Sequence, residues 1–376
     1  MSDQERAVVV VGAGPAGLAT SRELARRQID HVVLERGATL GHTWATLYDS
    51  LVLHTGKHLS ALPGMAFPSS TPLFPSRGQF LEYLGQYAAR FRLPVQTGVD
   101  VTTVGRATGA GWVVYTRDAS VHTRALVIAT GIVSNPTSAD IPDRASFSGR
   151  VIHSRDYRRP DDFARRRVLV VGVGNSAGEI AAEIAAAGAL VTVAIRSGAR
   201  VVPRQILGIP AQYFAVATRR LPPRAQQSIL SGVARVSALI RGPSVLPPPH
   251  DSACAVVPLI GFHLVDAVRA GTILVKPAID RFTPGGVRFA DGSEAPFDDV
   301  ILATGYRPAV GLLGDLINVD GCGFPRRRAG VVSADQPDLY FVGHTYDTRG
   351  ALFNIGRDAR RAAALIAAAR ASGSRC

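Results

Sequence analysis

The segment that decides the fold covers residues 7–17 and reads AVVVVGAGPAG. Its first half is a continuous apolar run, as expected of a strand buried on both faces of a sheet. A glycine turn follows, and the residues up to about Arg27 are compatible with a helix. A second largely apolar run, 31–34, ends at Glu35. A strand, a glycine turn, a helix and an acid-ended strand in this order predict a dinucleotide-binding unit.

Each residue type in this unit has a physical task. The first glycine permits the tight turn, the second lets the backbone approach a pyrophosphate, and the third lets the helix pack on the strand. The helix N-terminus presents N–H groups and a positive dipole end to the phosphates, and the acid accepts hydrogen bonds from ribose hydroxyls. The predicted contacts to this first dinucleotide are Gly12, Gly14, Pro15, Ala16, Gly17, Glu35 and Arg36.

A second copy of the pattern begins at Gly172. Residues 168–171 are apolar, and VGVGNSAGEIA spans the turn and the start of a predicted helix. The next predicted strand, 190–195, is followed by Arg196, which stands where the first unit has Glu35. An acid favours a free ribose 2′-hydroxyl, whereas an arginine pairs with a 2′-phosphate, so the two units together indicate FAD and NADPH. The predicted NADPH contacts here are Gly172, Gly174, Asn175, Ser176, Ala177, Arg196 and Ser197.

Two further segments repeat each other: 126–131 reads LVIATG and 300–305 reads VILATG. Each is an apolar strand closed by Ala-Thr-Gly, which suits a chain that rejoins one domain from another beside a cofactor. The small residues let the backbone pass close to that cofactor. The contacts predicted from these segments are Thr130 and Gly131 for FAD, and Ala303, Thr304 and Gly305 for NADPH.

The order of these segments predicts an α/β chain of two Rossmann-like dinucleotide-binding domains, with the NADPH domain inserted in the FAD domain. The predicted FAD domain covers 1–160 and 288–376, and the NADPH domain covers 161–287. Residues 203–253 carry many prolines and two apolar stretches. They are interpreted as an insertion on the NADPH domain, which either covers the active-site cleft or is a surface excursion without function. This apolar insertion could also serve as a homodimer interface.

Composition excludes several other classes of protein. A chain of 376 residues with 47% hydrophobic and 19% charged residues is typical of a globular protein with two or more domains. The charge-free stretches fall short of the ~18 apolar residues that cross a bilayer, and the N-terminus MSDQER lacks the layout of a secretory signal. A cytoplasmic protein without a transmembrane segment is therefore expected. The net charge of +13 comes from scattered arginines, so nucleic acid is not expected as a partner.

The three cysteines, Cys254, Cys322 and Cys376, are widely spaced and form no CxxC pair. We therefore expect free thiols and no metal site. A pyridine-nucleotide disulfide reductase shares the two-dinucleotide architecture but needs a redox-active cysteine pair, so this alternative is disfavoured.

Residues 147–157, FSGRVIHSRDY, match FxGxxxHxxxY, the identifying pattern of flavin-containing monooxygenases. The matching positions are Phe147, Gly149, His153 and Tyr157. The pattern lies between the two glycine motifs, as it does in that family, and ATGY follows at 303–306. The chain resembles the family over nearly its whole length. Tyr157, where Baeyer–Villiger monooxygenases typically have tryptophan, favours the heteroatom-oxidising and plant YUCCA-like branches.

Residues 51–68 resemble the YUCCA segment LxLHxPKxxxxLPxMPFP, with Gly56 and Ala66 in place of two prolines. By this resemblance His54 and Lys57 are the catalytic candidates, which would orient a peroxide or an anionic substrate. Two further FAD contacts are implied in the same way, Trp44 in a segment similar to the family's GGTW and Gly343 in the closing region 338–359.

The resemblance also implies a mechanism. NADPH would reduce FAD by hydride transfer, and reduced flavin would capture O₂ as a flavin hydroperoxide that oxygenates a small organic substrate. A 2-oxo acid such as indole-3-pyruvate, decarboxylated oxidatively, is the leading substrate. The alternatives are N- or S-oxygenation of a soft nucleophile, Baeyer–Villiger oxidation, a non-oxygenating NADPH–flavin reductase, and a flavoprotein that acts as a partner-binding module.

Overall fold

The computed structural model describes residues 4–218, 242–249, 258–347 and 349–373, with a few positions between 221 and 232. The chain divides into two compact units. The first consists of Met1–Thr46, Leu51–Asn135 and Tyr306–Cys376, and the second of Leu47–Ser50 and Pro136–Gly305.

The regular elements are numbered in chain order. The described strands are β1 (Gln4–Val11), β2 (His31–Glu35), β3 (Val95–Thr97), β4 (Val101–Arg106), β5 (Trp112–Thr116), β6 (Ser120–Ile128), β7 (Arg150–His153), β8 (Arg167–Val171), β9 (Leu190–Ile195), β10 (Val201–Val202), β11 (Gln205–Ile206), β12 (Ile209–Pro210), β13 (Leu259–Ile260), β14 (Ile273–Pro277), β15 (Ile279–Thr283), β16 (Gly286–Phe289), β17 (Glu294–Pro296), β18 (Asp299–Leu302), β19 (Arg327–Arg328), β20 (Val332–Ser333) and β21 (Leu339–Phe341). The described helices are α1 (Pro15–Ala25), α2 (His42–Ala45), α3 (Lys57–Ser60), α4 (Arg77–Phe91), α5 (Asn175–Ala186), α6 (Ala211–Ala217), α7 (His263–Arg269) and α8 (Ala351–Gly373). Short 3₁₀ turns occupy Arg144–Ser146, Asp161–Phe163 and Gly311–Leu316.

The first unit is built on a nine-stranded sheet. Its main path has the order β19-β20-β21-β6-β1-β2-β3, and the antiparallel pair β4-β5 joins it at β6. The strands β21, β6, β1, β2 and β3 run parallel. Along β1, Val8 and Val10 point into one hydrophobic core, and Val9 and Val11 point into another. The apolar run at the start of the chain is continuous because this strand is covered on both faces.

Two helices of the first unit are packed closely together. The C-terminal helix α8 lies against α1. Its buried face combines larger side chains with three fully buried alanines, Ala359, Ala362 and Ala363. Such residues let two helix axes approach closely, and the packing fixes where α8 begins relative to the first glycine turn. Within the described ranges, no helix combines the length and apolar character needed to cross a membrane.

The second unit is built on a five-stranded parallel sheet of order β14-β9-β8-β18-β7. The antiparallel strands β15, β16 and β17 form a separate small sheet. The contact boundaries differ from the predicted domain ranges, because residues 136–160 and 288–305 belong to the second unit. The reason is that β18 is a central strand and β7 an edge strand of its sheet. Parallel sheets that each carry a glycine turn and a helix confirm the predicted fold class.

Candidate active site

The first glycine turn joins β1 to α1 without a capping side chain. Gly14 is the N-cap residue of α1, Pro15 follows it, and no side chain accepts a hydrogen bond at this cap. The N–H groups of a helix's first turn have no intrahelical partner, and they carry the positive end of the helix dipole. A Cβ atom on Gly14 would meet no other atom within 4 Å. The turn therefore has both the donors and the space that a pyrophosphate needs.

Two close backbone contacts fix the shape of this turn. Gly12 has a φ of 101°, and a Cβ atom on it would lie 2.8 Å from the Ala129 carbonyl oxygen. A Cβ atom on Gly17 would lie only 1.8 Å from the Gly12 carbonyl oxygen. A side chain at either position would push α1 away from the strands, so both positions require glycine.

Glu35 ends β2 with a carboxylate fixed beside the turn. The residue is only 7% exposed. Its Oε2 accepts a hydrogen bond from the Ala13 N–H at 2.7 Å, and its Oε1 accepts one from the Gly37 N–H at 2.8 Å. A carboxylate has about four acceptor positions, so lone pairs remain for ribose hydroxyls. The neighbouring Arg36 is exposed.

Other FAD candidates come from the neighbouring strands of the same sheet. Gly343 follows β21, and a Cβ atom on it would lie 2.9 Å from the Ala16 Cβ. Thr130 follows β6 and donates from Oγ1 to the Ala309 carbonyl at 2.6 Å. The adjacent Gly131 has a φ of 71°. Because β1, β6 and β21 run parallel, their carboxyl ends bring these residues to one edge of the sheet.

Trp44 reaches the same region through the short helix α2. The N–H of Gly41, which precedes α2, donates to the Ala13 carbonyl at 3.1 Å. The Trp44 ring is half-buried and packs edge-on against Phe80, with ring centroids 4.7 Å apart. The structure thus places α2 beside the first glycine turn.

The second glycine turn repeats the geometry of the first. Gly174 is the N-cap residue of α5, is exposed, and again has no capping side chain. The Gly172 N–H donates to the Ala194 carbonyl at 2.9 Å, which ties the turn to β9. Ser176 is half-buried, and Ala177 is fully buried under the helix.

The other NADPH candidates lie at the ends of β9 and β18. Arg196 and Ser197 follow β9 and are both exposed. The Ala303 N–H, just after β18, donates to the Val171 carbonyl at 2.9 Å. Thr304 donates from Oγ1 to the Thr137 carbonyl, and Gly305 has a φ of 88°. The carboxyl ends of three parallel strands therefore bring these candidates together around α5, where a second dinucleotide would bind.

Asn175 differs from the other NADPH candidates, because its carboxamide is used inside the protein. Its Oδ1 accepts from the Ile260 N–H at 2.7 Å, and its Nδ2 donates to the Pro258 carbonyl at 3.3 Å. That Asn175 also contacts NADPH stays a prediction.

The two catalytic candidates lie around the start of α3. The Lys57 ammonium donates to the carbonyls of Ser69 at 2.9 Å, Pro68 at 3.4 Å and Thr71. These three bonds match the three donors of an ammonium group, so Lys57 holds the 68–71 loop. His54 is half-buried. The role of both residues in orienting a substrate stays a prediction.

Sequence reasoning missed a cluster on α5. Glu179 and Glu183 lie one helical turn apart, and they accept hydrogen bonds from the hydroxyls of Tyr48 and Tyr157. Burial raises the pKa of Tyr157 and Glu183 adds to this effect, so this hydroxyl stays a donor. Burial lowers the pKa of Arg204, whereas Glu179 and Tyr48 oppose that shift. The sequence does contain a sign of this cluster, because two glutamates four residues apart in the helix after GxGNSA lie on the same helix face.

The remaining residues of the FxGxxxHxxxY pattern have structural contacts in the second unit. Phe147 is buried and packs against Phe282, with ring centroids 5.3 Å apart. His153 accepts a hydrogen bond at Nδ1 from the Arg155 N–H at 3.0 Å, and burial lowers its pKa. The motif therefore helps to build the sheet edge at β7.

The cysteines give one correction. Cys322 is disulfide-bonded, so the expectation of a free thiol at this position is wrong. Cys254 and Cys376 lie outside the described residues. Sequence spacing carries no information about which cysteines the fold brings together, because a disulfide depends on distance in space.

His344 leads to a prediction about stability. It is fully buried, and neither ring nitrogen has a well-formed hydrogen bond. Burial, and to a smaller extent the charge of Arg327, lowers the pKa of His344 to about 3. A weak contact with the Val342 backbone has the opposite effect on this pKa. The unfolded chain takes up a proton near pH 6.5, so the free energy of unfolding should fall as the pH drops from about 6.5 toward 3.

The loss from His344 alone should be about 2 kcal/mol at about pH 5. Urea unfolding of wild type and His344→Leu at neutral and acidic pH measures it, since the variant lacks this contribution. Equal losses in the two proteins would show that His344 accepts a proton in the folded state.

Comparison with known proteins supports one family. A sequence model described as pyridine nucleotide-disulphide oxidoreductase matches residues 9–205. Indole-3-pyruvate monooxygenase YUCCA1 of Oryza sativa subsp. japonica is 33% identical over 373 residues, which cover 93% of this chain and 90% of that protein. The probable indole-3-pyruvate monooxygenase YUCCA1 of Arabidopsis thaliana is 33% identical over 327 residues, covering 83% and 79%.

A solved structure agrees with these sequence relatives. A double mutant of a flavin monooxygenase from Stenotrophomonas maltophilia superimposes with a TM-score of 0.78 at 28% identity, covering 97% of this chain and 99% of that one. The predicted resemblance is confirmed over almost the whole length. The chain belongs to the pyridine nucleotide-disulphide oxidoreductase family as that sequence model describes it and, within it, to the YUCCA-like branch of the FAD- and NADPH-dependent flavin-containing monooxygenases.

Proposed function

We propose that the first unit binds FAD, that the second binds NADPH, and that the enzyme uses O₂ to decarboxylate a small 2-oxo acid such as indole-3-pyruvate oxidatively. The observation that carries the cofactor assignment is the opposite charge at matching strand ends, Glu35 after the first helix and Arg196 after the second. The substrate class is supported by the names of the rice and Arabidopsis relatives.

The residues of the first unit fit FAD. The uncapped turn from Gly12 to Gly17 would hold the pyrophosphate, and the fixed Glu35 carboxylate would hold the ribose. Gly343 and Thr130 would lie along the cofactor, because they stand at the same edge of the sheet. FAD, when bound, accepts a hydride from NADPH and activates O₂. The protein supplies placement, electrostatics and exclusion of water.

The residues of the second unit fit NADPH. The N-terminal turn of α5, with Ser176, would hold the pyrophosphate of this nucleotide. The exposed Arg196 and Ser197 would hold the 2′-phosphate, because a guanidinium binds phosphate through two parallel hydrogen bonds.

The proposed reaction is balanced. A 2-oxo acid, O₂, NADPH and a proton give the carboxylic acid shortened by one carbon, CO₂, NADP⁺ and water. One oxygen atom enters the new carboxylate, and the other leaves as water. His54 would orient the substrate carboxylate by direct contact. The N–H donors of Lys57 are used to hold the 68–71 loop, so Lys57 would act on the carboxylate through its positive charge.

The competing reactions use the same cofactors. N- or S-oxygenation of a soft nucleophile would leave the substrate's carbon skeleton intact, whereas Baeyer–Villiger oxidation would insert oxygen beside a ketone. A non-oxygenating reductase would transfer electrons from NADPH without oxygenating any substrate. Product analysis therefore separates all four.

We predict that indole-3-pyruvate stimulates NADPH consumption at least tenfold over the rate without substrate. The FAD-loaded enzyme is mixed with NADPH and, in turn, with indole-3-pyruvate, a thioether, a tertiary amine or cyclohexanone. NADPH, O₂, CO₂, hydrogen peroxide and organic product are quantified. Equal amounts of CO₂ and indole-3-acetate per NADPH are expected. Stimulation by the thioether or amine alone, with an S- or N-oxide formed, would replace the 2-oxo acid by a soft nucleophile.

We also propose that the enzyme works in the cytoplasm, where NADPH is supplied, and that it forms a homodimer. The apolar side chains of Leu207, Ile209 and Phe214 are exposed in the described part of the 203–253 insertion. Exposed large apolar side chains in one insertion support a subunit contact.

A further inference from the structure

The helix that follows the second glycine turn also holds a distant strand. The Asn175 carboxamide binds the backbone of Ile260 and Pro258 at once, through its Oδ1 and its Nδ2. The two bonds lie on either side of residue 259. Asn175 therefore clamps β13 by main-chain groups, whatever side chains that strand carries.

An apolar contact holds the same strand. Leu259 is 3% exposed, and a Cβ atom on Gly178 would lie 2.8 Å from its Cδ1. The strand also pairs with β10, where Val201 stands opposite Leu259. One turn of α5 therefore holds β13 in two ways, by the hydrogen bonds of Asn175 and by the packing of Leu259 against Gly178.

A second segment, residues 242–249, packs against the loop after β9. This loop begins at Arg196. A Cβ atom on Gly198 would lie 1.8 Å from the Pro247 carbonyl oxygen, so only glycine lets these two backbones touch. Arg269 holds the same segment from α7, by donating to the carbonyls of residues 242 and 243 at 3.3 and 2.6 Å. Segments 242–249 and 258–260 are therefore both packed onto elements that carry NADPH candidates.

We propose that Asn175 is a positioning residue that couples NADPH binding to the packing of segments 242–249 and 258–260 on α5 and on the loop after β9. The inference rests on the proposed function, in which the start of α5 and Arg196 hold the nucleotide. NADPH would fix these two elements on one side, and the two segments fix them on the other. Binding couplings are reciprocal, so whichever interaction forms first strengthens the second. In this proposal the Asn175 carboxamide acts on the nucleotide site through its two bonds to β13 and the residue before it.

The test combines hydrogen exchange with nucleotide affinity. In the FAD-loaded wild type, NADP⁺ should slow exchange of the Ile260 amide, measured in the peptide covering 258–262. Asn175→Ala should speed that exchange and abolish its response to NADP⁺. The dissociation constants for NADP⁺ and NAD⁺ should rise by the same factor, about threefold to tenfold for two neutral hydrogen bonds.

Two further variants make the result specific. Ser176→Ala, one residue along the same turn, should weaken NADP⁺ binding while leaving the exchange of residue 260 unchanged. Gly198→Ala should displace the Pro247 segment and weaken NADP⁺ binding with Asn175 intact. This second route keeps the proposal testable if Asn175→Ala does not fold.

Three outcomes would overturn the proposal. Weaker NADP⁺ binding in Asn175→Ala with unchanged exchange at Ile260 would show a direct nucleotide contact. Faster exchange with unchanged affinity would show a clamp without coupling. A wild-type protein that binds no NADP⁺ would overturn the coupling together with the proposed function, whereas faster Ile260 exchange in Asn175→Ala would still identify the clamp itself.

Discussion

Replacing Glu35 by glutamine should weaken FAD binding by on the order of 100-fold while the chain stays folded. Both carboxylate oxygens accept backbone N–H bonds, from Ala13 in the glycine turn and from Gly37 after β2. A glutamine has only one acceptor oxygen, so its NH₂ group must face one of these donors. A buried N–H is therefore left unpaired. In the FAD complex the charge-assisted bonds from the ribose hydroxyls are lost as well, and this loss weakens the binding free energy by about 3 kcal/mol. The turn that would hold the pyrophosphate loosens, and the ribose loses its acceptor.

Flavin content after gel filtration and the FAD dissociation constant from a fluorescence titration measure this effect. Glu82→Gln is the matched control, because Glu82 is an exposed residue on α4. Circular dichroism reports whether each variant is folded. A Glu35→Gln protein that keeps a full complement of flavin, with affinity within about threefold of wild type, would remove Glu35 from the FAD site.

The second large effect concerns coenzyme choice. Arg196→Gln should lower kcat/KM for NADPH by about 30-fold and leave kcat/KM for NADH nearly unchanged, because a hydrogen-bonded charge pair at a phosphate contributes about 2 kcal/mol. The loss should appear in KM, since the 2′-phosphate is remote from the hydride that is transferred. Arg196 is exposed, so its contribution should also shrink as ionic strength rises.

Steady-state rates with both coenzymes, at low and high salt, test this expectation. Arg288→Gln is the control, because Arg288 is an exposed arginine on β16 of the same unit. The FAD content of Arg196→Gln should equal that of wild type. A ratio of NADPH to NADH efficiency that moves less than about twofold would place the 2′-phosphate elsewhere.

Local sequence was sufficient to predict much of the geometry of the first glycine turn. Gly17 of VGAGPAG is required by a contact within a single β–turn–α unit, its approach to the Gly12 carbonyl, whereas Gly12 lies against the Ala129 carbonyl after β6. Glu35 lies on the adjacent parallel strand and bonds back to the same turn. The partners of Gly17 and Glu35 are supplied by a short stretch of chain, so the pattern itself specifies this part of the arrangement. The same reasoning explains why the family and the fold class were predicted and are confirmed.

The boundaries of the two units, in contrast, could not be predicted from local sequence. Residues 47–50 belong to the second unit, although the chain on both sides of them belongs to the first. Within that unit, the Tyr48 hydroxyl bonds to Glu179, which lies 131 residues further along the chain. The strand β18 belongs to the second sheet, where it lies between β8 and β7. The similarity of its sequence, VILATG, to LVIATG does not predict these neighbours.

What the sequence determined by itself was therefore each glycine turn between a strand and a helix, the acid or arginine at the end of the strand that follows, and the order of these units along the chain. Only the tertiary structure decided that the Lys57 ammonium holds a loop and that the Asn175 carboxamide clamps a strand 85 residues away. The physical reason is that a lysine or an asparagine can satisfy its hydrogen bonds with almost any backbone group. Which group it meets depends on the packing of distant segments, whereas the contact that requires Gly17 lies within its own turn.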